Sequence, residues 1–533
     1  ASGVPLESWR RGEELALVRL LAEKDRGKFL LRRDRELYFI APGSARPVKL
    51  APSYRLQGAA LDELLGLRLT RDYRIDGLRV DAVHAIHDEG ARHVLAELCA
   101  RVAQAGGGAA LTLSRLAERC AALADLLTTL ELRVVALHMD NRPDWIIVDL
   151  ACQLAAVCLV PLPTFFSTEQ LRHVLDTVPV DAVFTDCPDL LSPLCAGRVR
   201  PGPEIALGGA TVLRLDARPA SASQVLPGAL PGVLPAGTGK ITFTSGSTGR
   251  PKGVCLGNPQ LLNQAAALAA AAALERPRHL CLLPLSTLLE NVAGVYAPLL
   301  AGGEVQVPGL AELGFAGSSS LEPRIFLELL ARQQPESVIL TPQMLHLLVA
   351  AAGRGWVPPA TLRFVAVGGA RVPPSLLEAA QAQGIPAFEG YGLSECASVV
   401  SLNLPNACRP GSCGRPLPHV RVAIEDGEIR VAGNAMLGYA GEPDSWGQAG
   451  IATGDLGYLD ADGFLFIDGR KKNLLISSYG RNIAPEWVES EALADRSLAE
   501  CLVFGDARPY CVALLAPRDP AAGDDAIQRA TDR

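Results

Sequence analysis

From Leu111 onward the sequence alternates short apolar runs with amphipathic segments, and that rhythm constrains the fold more than any other feature. Leu116, Cys120, Leu123 and Leu127 fall on one face of a helix, with Thr112 or Ser114 available to cap it. Val134–Met139 then reads as a strand, Asp144–Cys158 as a buried helix and Leu159–Leu162 as a further strand. Ser337–Leu340 and Phe364–Val367 repeat the pattern. Strands with no polar face, separated by helices, predict βαβ units, so the expected class is α/β with parallel sheets covered on both faces.

Two flanks differ from this body. Residues 1–108 read as an extra α+β segment of unassigned role: a helix over Trp9–Glu23, a hairpin over Phe29–Ile40, a helix through Ala91–Ala103 and a linker at Ala105-Gly-Gly-Gly108. His84, His87 and His93 cluster there, but no cysteine stands at ligand spacing, so they read as a solvated helix end. Residues 109–468 form the large body. Residues 469–533 read as a small α+β domain with a helix over Pro485–Ala494 and strands at Glu500–Phe504 and Cys511–Ala516.

Composition narrows the partners. Among 533 residues, 50 Lys and Arg stand against 57 Asp and Glu, a net charge of −7, and no basic run is present. Nucleic acid is therefore not expected, because such binding needs a basic surface to displace counterions. A 49% hydrophobic content supports several cores and excludes a disordered chain. The apolar run Ala265–Leu274 is shorter than the ~20 residues of a membrane-spanning helix. Ser8–Glu14 is polar where a secretory signal would be apolar, and 13 cysteines without a CxxC suit a reducing, cytoplasmic setting.

Thr244-Ser-Gly-Ser-Thr-Gly-Arg-Pro-Lys-Gly253 follows the strand Ile241–Phe243. Its glycines let backbone N–H groups approach an anion, its hydroxyls donate to it, and Lys252 adds charge. This suits a polyphosphate. A Walker A loop has Gly before the lysine and Ser or Thr after it, whereas here Pro251 precedes and Gly253 follows. A plain Gly/Ser surface loop would not need the strand, the hydroxyl cluster and the lysine together.

On this loop the sequence resembles the adenylate-forming superfamily of acyl-CoA synthetases, peptide-synthetase adenylation domains and luciferases, from about Leu111 to the chain end. Further motifs follow in that family's order: Gly368-Gly-Ala370, Glu389-Gly-Tyr-Gly-Leu-Ser-Glu395, Thr453-Gly-Asp455 and Gly469-Arg-Lys-Lys472. The resemblance implies an ATP- and Mg²⁺-dependent ligase that converts a carboxylic acid to an acyl-adenylate, then to a thioester with CoA or a phosphopantetheine-bearing carrier protein. It implies Thr244, Ser245, Gly246, Ser247, Thr248, Gly249 and Lys252 on the phosphates. Gly368, Gly369, Ala370, Glu389, Gly390, Tyr391, Gly392 and Ser394 would surround the adenine, with Asp455 and Arg470 on the ribose. Glu395 and Thr244 would hold the metal, Lys472 would be the hinge of the small domain, and Gly480 would line the thiol path. Asn141-Arg-Pro-Asp-Trp145, Pro161-Leu-Pro-Thr-Phe-Phe166 and Lys471–Glu489 look closest to fatty-acid-activating members, with Leu283–Val295 on the acyl side.

One departure stands out. The family's adenylation lysine lies near the end of its small domain, yet the last lysine here is Lys472, and Ala521–Arg533 lacks the closing Gly-Lys motif. The two expectations are an omitted tail or a catalytically impaired ligase fold that binds nucleotide, acyl ligand or a protein partner; retention of every other motif favours the tail. The unassigned front could serve contact with an acyl carrier protein or another enzyme.

Overall fold

The computed structural model describes the backbone of strands within residues 6–60 and 101–103, and residues 111–517 apart from 201–210, 216–232, 245–250, 317–319, 477–481, 494–497, 507 and 509. The chain divides into two compact units, residues 1–99 with 112–121 and residues 100–111 with 122–533.

In the first unit Leu6–Arg11, Leu15–Leu20, Phe29–Arg33, Glu36–Ile40 and Val48–Leu50 form an antiparallel meander. The hairpin expected over Phe29–Ile40 is present. The helix expected over Trp9–Glu23 is not: Leu6–Arg11 and Leu15–Leu20 pair as strands with Trp9 opposite Leu17. Leu15, Leu17 and Val18 satisfy a period of two as well as a helical one, and cross-strand pairing decided between them. Arg101–Ala103, read as a helix end, belongs to the second unit and is a strand parallel to Glu304–Gln306 there; pairing within a sheet outweighs local helix preference. The three clustered histidines and the Gly-rich linker lie outside the described residues.

The second unit is α/β. One sheet runs Thr211–Leu215, Ala182–Thr185, Val134–His138, Cys158–Pro161, Lys240–Thr244, Lys252–Leu256 and Gly438–Tyr439, with Val199–Arg200 at its edge. Its central strands are parallel, and those of Val134–His138 and Cys158–Pro161 are buried along their whole length, as strands covered on both faces must be. Helix Thr168–Thr177 starts at a reciprocal cap: Ser167 Oγ accepts the Gln170 N–H at 3.3 Å, and Gln170 Oε1 accepts the Ser167 N–H at 2.9 Å. Leu171, Val174 and Leu175 from this helix pack on Val134, Ala136 and Val183 of the sheet.

The second large sheet runs Arg415–Pro416, Ser398–Leu402, Ala387–Leu393, Phe364–Val367, Ser337–Leu340, Arg278–Leu280, Glu304–Gln306 and Arg101–Ala103. Helices Pro323–Gln333, Pro342–Ala352 and Pro374–Ala382 each open on proline at the first turn, where its missing N–H costs nothing. Their faces bury Phe326, Leu345 and Leu376 with Val338, Leu340 and Val365. A four-stranded antiparallel sheet follows, Arg421–Glu425, Glu428–Ala432, Gly450–Leu459 and Leu465–Arg470. Helix Pro485–Ala492 and the hairpin Leu498–Phe504 with Val512–Pro517 complete the described chain. Among the described residues no helix is long and apolar enough to cross a membrane.

Candidate nucleotide and acyl site

The two strands that flank the phosphate-loop candidate pair with each other. Lys240–Thr244 and Lys252–Leu256 pair antiparallel, with Thr244 opposite Lys252 and Phe243 opposite Gly253. Gly253 is required by crowding: a Cβ there would sit 2.9 Å from Phe243 Cζ and 3.0 Å from Ile241 Cγ2. Ser245, Gly246, Ser247, Thr248 and Gly249 lie outside the described residues. His173 Nε2 meets the Pro251 carbonyl at 3.0 Å, which anchors the start of the returning strand.

Lys252 Nζ lies 3.0 Å from Glu442 Oε1 and 4.7 Å from the centre of the Tyr439 ring. Tyr439 in turn donates its hydroxyl to Glu395 Oε1 at 2.9 Å. The loop lysine and the candidate metal carboxylate, far apart in sequence, are thus linked through one aromatic side chain. Burial and the neighbouring Glu395 carboxylate push the Tyr439 phenol above its ordinary range, so it remains a donor. Sequence reasoning missed Tyr439 and Glu442. The available signal was Gly438, whose φ of 141° and close approach to Trp446 admit no side chain.

Glu395 sits in the short 3₁₀ turn Ser394–Cys396 that follows the strand Ala387–Leu393. Ala397 and Ser398 follow with φ of 57° and 108°, conformations that cost energy for residues with a Cβ and cluster at functional sites. Half-buried Glu395 presents hard oxygen donors, and among the described residues its Oε2 accepts no hydrogen bond; this suits Mg²⁺.

On the opposite flank Tyr391, Asp455 and Arg470 form one unit. Tyr391 donates to Asp455 Oδ2 at 2.6 Å, and Arg470 Nε lies 2.7 Å from Asp455 Oδ1. Asp455 and Arg470 are register partners on adjacent strands, and Thr453 Oγ1 accepts the Asp455 N–H at 3.1 Å. Burial and the Asp455 carboxylate hold the Tyr391 phenol well above its usual range.

Gly368 closes the strand Phe364–Val367 and approaches the Gly390 carbonyl, 3.4 Å from an added Cβ. Gly369 has φ 86°, the left-handed region, and Ala370 is exposed. Gly390 and Gly392 answer first to strand crowding: added Cβ atoms would press on Leu402 and on the Ser398 carbonyl. Glu389 faces inward. Its Oε1 accepts the Val372 N–H at 3.3 Å and meets Cys413 Sγ at 3.8 Å, and burial pushes its carboxyl up to about 7. Lys472 is exposed in the turn after Arg470; Gly480 lies outside the described residues.

Beneath Gly368 a cavity of about 70 Å³ lies between helix Asn258–Ala272, the π-helix Glu290–Tyr296 and the second sheet. Leu268, Leu289, Ala293, Ala366 and Leu402 line it, and Leu289 Cδ2 lies 4.0 Å from an added Cβ at Gly368. Of the segment Leu283–Val295 expected on the acyl side, Leu289 and Ala293 line this cavity, and from Glu290 onward it is a π-helix, a form that recurs at functional sites.

That helix also meets a buried charge network. Lys240 Nζ lies 2.8 Å from Asp149 Oδ1 and 2.8 Å from the Tyr296 hydroxyl, and donates to Asn291. Tyr296 and Asn291 both donate to Asp149 Oδ2, at 2.6 and 2.8 Å. Beside Asn291, the Glu290 carboxylate meets His279 Nε2 at 3.0 Å and the Leu283 N–H at 2.9 Å, and His279 Nδ1 meets Ser337 Oγ at 3.0 Å.

Comparison with known proteins gives a consistent set. A family model described as AMP-binding enzyme matches residues 91–440. A long-chain-fatty-acid–CoA ligase, FadD15, of Mycobacterium bovis is 26% identical over 448 residues, covering 74% of this chain and 74% of that protein. A 2-succinylbenzoate–CoA ligase of Bacillus velezensis is 31% identical over 393 residues, covering 70% and 75%. The crystal structure of the anthranilate CoA ligase AuaEII in complex with anthranoyl-AMP superposes with a TM-score of 0.66 at 18% identity, covering 86% of this chain and 90% of that one, which shows a shared fold.

Proposed function

The chain belongs to the AMP-binding enzyme family, and we propose that it activates a carboxylic acid with ATP and passes the acyl group to the thiol of CoA. Relatives that act on a fatty acid and on 2-succinylbenzoate are both CoA ligases. In the first step a carboxylate oxygen attacks the α-phosphorus and pyrophosphate leaves. In the second the thiol sulfur attacks the acyl carbon, AMP leaves with the bridging oxygen, and the thiol proton passes to solvent. Neither step needs a covalent bond to the protein, so positioning and charge stabilisation carry the rate.

The observation that carries this reading is the chain Lys252, Tyr439, Glu395, which links the phosphate hairpin to a hard carboxylate. Thr244, the loop 245–249 and Lys252 bind the β- and γ-phosphates. Glu395 and Thr244 are the residues to hold Mg²⁺, which when bound neutralises charge on the departing pyrophosphate. Gly368, Gly369, Ala370 and Tyr391 flank the adenine, while Asp455 accepts the ribose hydroxyls beside Arg470. Lys472 serves as hinge of the domain 469–533, and Gly480 lines the thiol path. The apolar lining under Gly368 supports an apolar acid as substrate, for which we take a medium- or long-chain fatty acid, and CoA is the acceptor ahead of a carrier protein.

The test is pyrophosphate release with ATP, Mg²⁺ and a panel of acids, followed by thioester formation with CoA or carrier protein. Release should depend on the acid and fall by about 10²–10³-fold in Lys252→Ala and in Glu395→Ala. Unchanged release in both variants would sink the proposal; nucleotide binding without release in the parent protein would leave a binding role instead.

A further inference from the structure

The first large sheet offers a second place for a ligand. From Val134–His138 the chain passes through helix Pro143–Leu154 to its neighbour on one side, Cys158–Pro161. It then passes through helix Thr168–Thr177 to its neighbour on the other side, Ala182–Thr185. The winding therefore reverses between Val134–His138 and Ala182–Thr185, and the crevice beyond the carboxyl ends of such a strand pair is where open α/β sheets bind ligands. His138 ends one strand opposite Thr185, and Asp186 and Cys187 leave the other.

In that crevice a ring nitrogen of His138, a carboxylate oxygen of Asp186 and Cys187 Sγ lie within 4.8 Å of one another. His138 is 2% exposed, its Nδ1 stands 3.5 Å from Thr185 Oγ1, and its Nε2 is buried with no hydrogen-bond partner. An orphaned buried nitrogen is costly and calls for an explanation. The loop is held by its backbone: Thr185 Oγ1 accepts the Cys187 N–H at 2.9 Å and Asp186 Oδ2 accepts the Asp140 N–H at 2.9 Å. Asp140 itself is occupied by the N–H groups of Asn141 and Leu310, so it adds negative charge without being a ligand. Cys187 is exposed, which leaves an entry path.

A second His/Cys/Glu cluster makes the contrast. His279, Cys281 and Glu290 are all buried, but both His279 nitrogens and both Glu290 oxygens already have partners. That cluster is an internal brace.

We propose that His138, Asp186 and Cys187 form a site for one zinc-class divalent transition-metal ion, sharing no residue with the nucleotide site. One imidazole, one carboxylate and one thiolate suit zinc, whereas Mg²⁺ and Ca²⁺ take oxygen ligands and would leave two donors idle. Zinc–ligand bonds of about 2.0–2.3 Å require only a small contraction of the cluster. The thiol releases its proton to solvent on binding, and the exposed side leaves the fourth position to water.

The experiment is titration of the full chain with Co²⁺, read by thiolate-to-cobalt absorption, and displacement by Zn²⁺. One Co²⁺ per chain should bind and persist in excess Mg²⁺. Cys187→Ser should abolish the absorption and weaken binding at least tenfold, Asp186→Asn should weaken it, and Glu395→Gln should leave it intact. Absence of the absorption in the parent protein overturns the proposal. So does its survival in Cys187→Ser, which would assign it to another thiol such as exposed Cys408 or Cys511.

Discussion

Lys240 Nζ lies 2.8 Å from Asp149 Oδ1 with the two side chains 1% and 0% exposed, so an ion pair is sealed inside the large unit one strand-length before the phosphate turn. Removing one partner leaves the other charge uncompensated, which typically costs ~3–5 kcal/mol. Lys240→Met should lower unfolding free energy in urea by about that amount, and Lys240→Met with Asp149→Leu should cost less than the sum of the single changes. A loss below about 1 kcal/mol in the single variant would mean that the network contributes little.

Asp455 divides its two oxygens between Tyr391 and Arg470. Tyr391→Phe keeps the ring and removes one donor, so apparent affinity for ATP should fall by roughly 0.5–1.5 kcal/mol, with little change in maximal rate. Asp455→Ala should lose far more. Equal small effects from both in pyrophosphate-release kinetics would argue against a ribose role.

The Lys252–Glu442 pair is 40% and 47% exposed, and such pairs contribute ~0–1 kcal/mol. Lys252 can therefore exchange Glu442 for phosphate oxygens at little cost. Glu442→Gln should leave thermal stability nearly unchanged and the adenylation rate undiminished, whereas Lys252→Ala should slow adenylation about 10²–10³-fold. A comparable slowing in Glu442→Gln would give that carboxylate a role beyond holding the lysine.

Glu389 is buried with its carboxyl pushed up to about 7, above the usual carboxylate range. The native state then binds more protons than the unfolded chain between about pH 4.5 and 7. The stability this contributes is complete at the acid end of that window and is lost as pH rises through 7. Glu389→Gln keeps an acceptor for the Val372 N–H and removes the titration, so stability should flatten by roughly 2–3 kcal/mol from about pH 5 to about pH 8. Identical pH profiles in urea unfolding would rule the titration out.

Strands Ser337–Leu340 and Phe364–Val367 were legible to the residue because they are short, apolar but for Ser337, and buried almost throughout. The motif residues Tyr391, Asp455 and Arg470 were legible as a set, although their shared carboxylate was not. Lys252 reaches Glu442 across 190 positions and Tyr439 reaches Glu395 across 44, and no local pattern encodes such partners. Lys240 was passed over for the same reason, although a charge opening an apolar strand was a visible anomaly. Leu15–Leu20 misled because six residues of Leu, Ala, Val and Arg fit either period until a partner strand is known.

Glu290 and Asn291 are consecutive, yet one braces His279 and the Leu283 N–H beside the cavity while the other belongs to the Lys240 network at the root of the phosphate hairpin. Both side chains leave the same π-helix. The cavity wall and the root of the phosphate hairpin are therefore fastened through neighbouring positions of one turn, so a shift of that turn is felt at both ends of the reaction path.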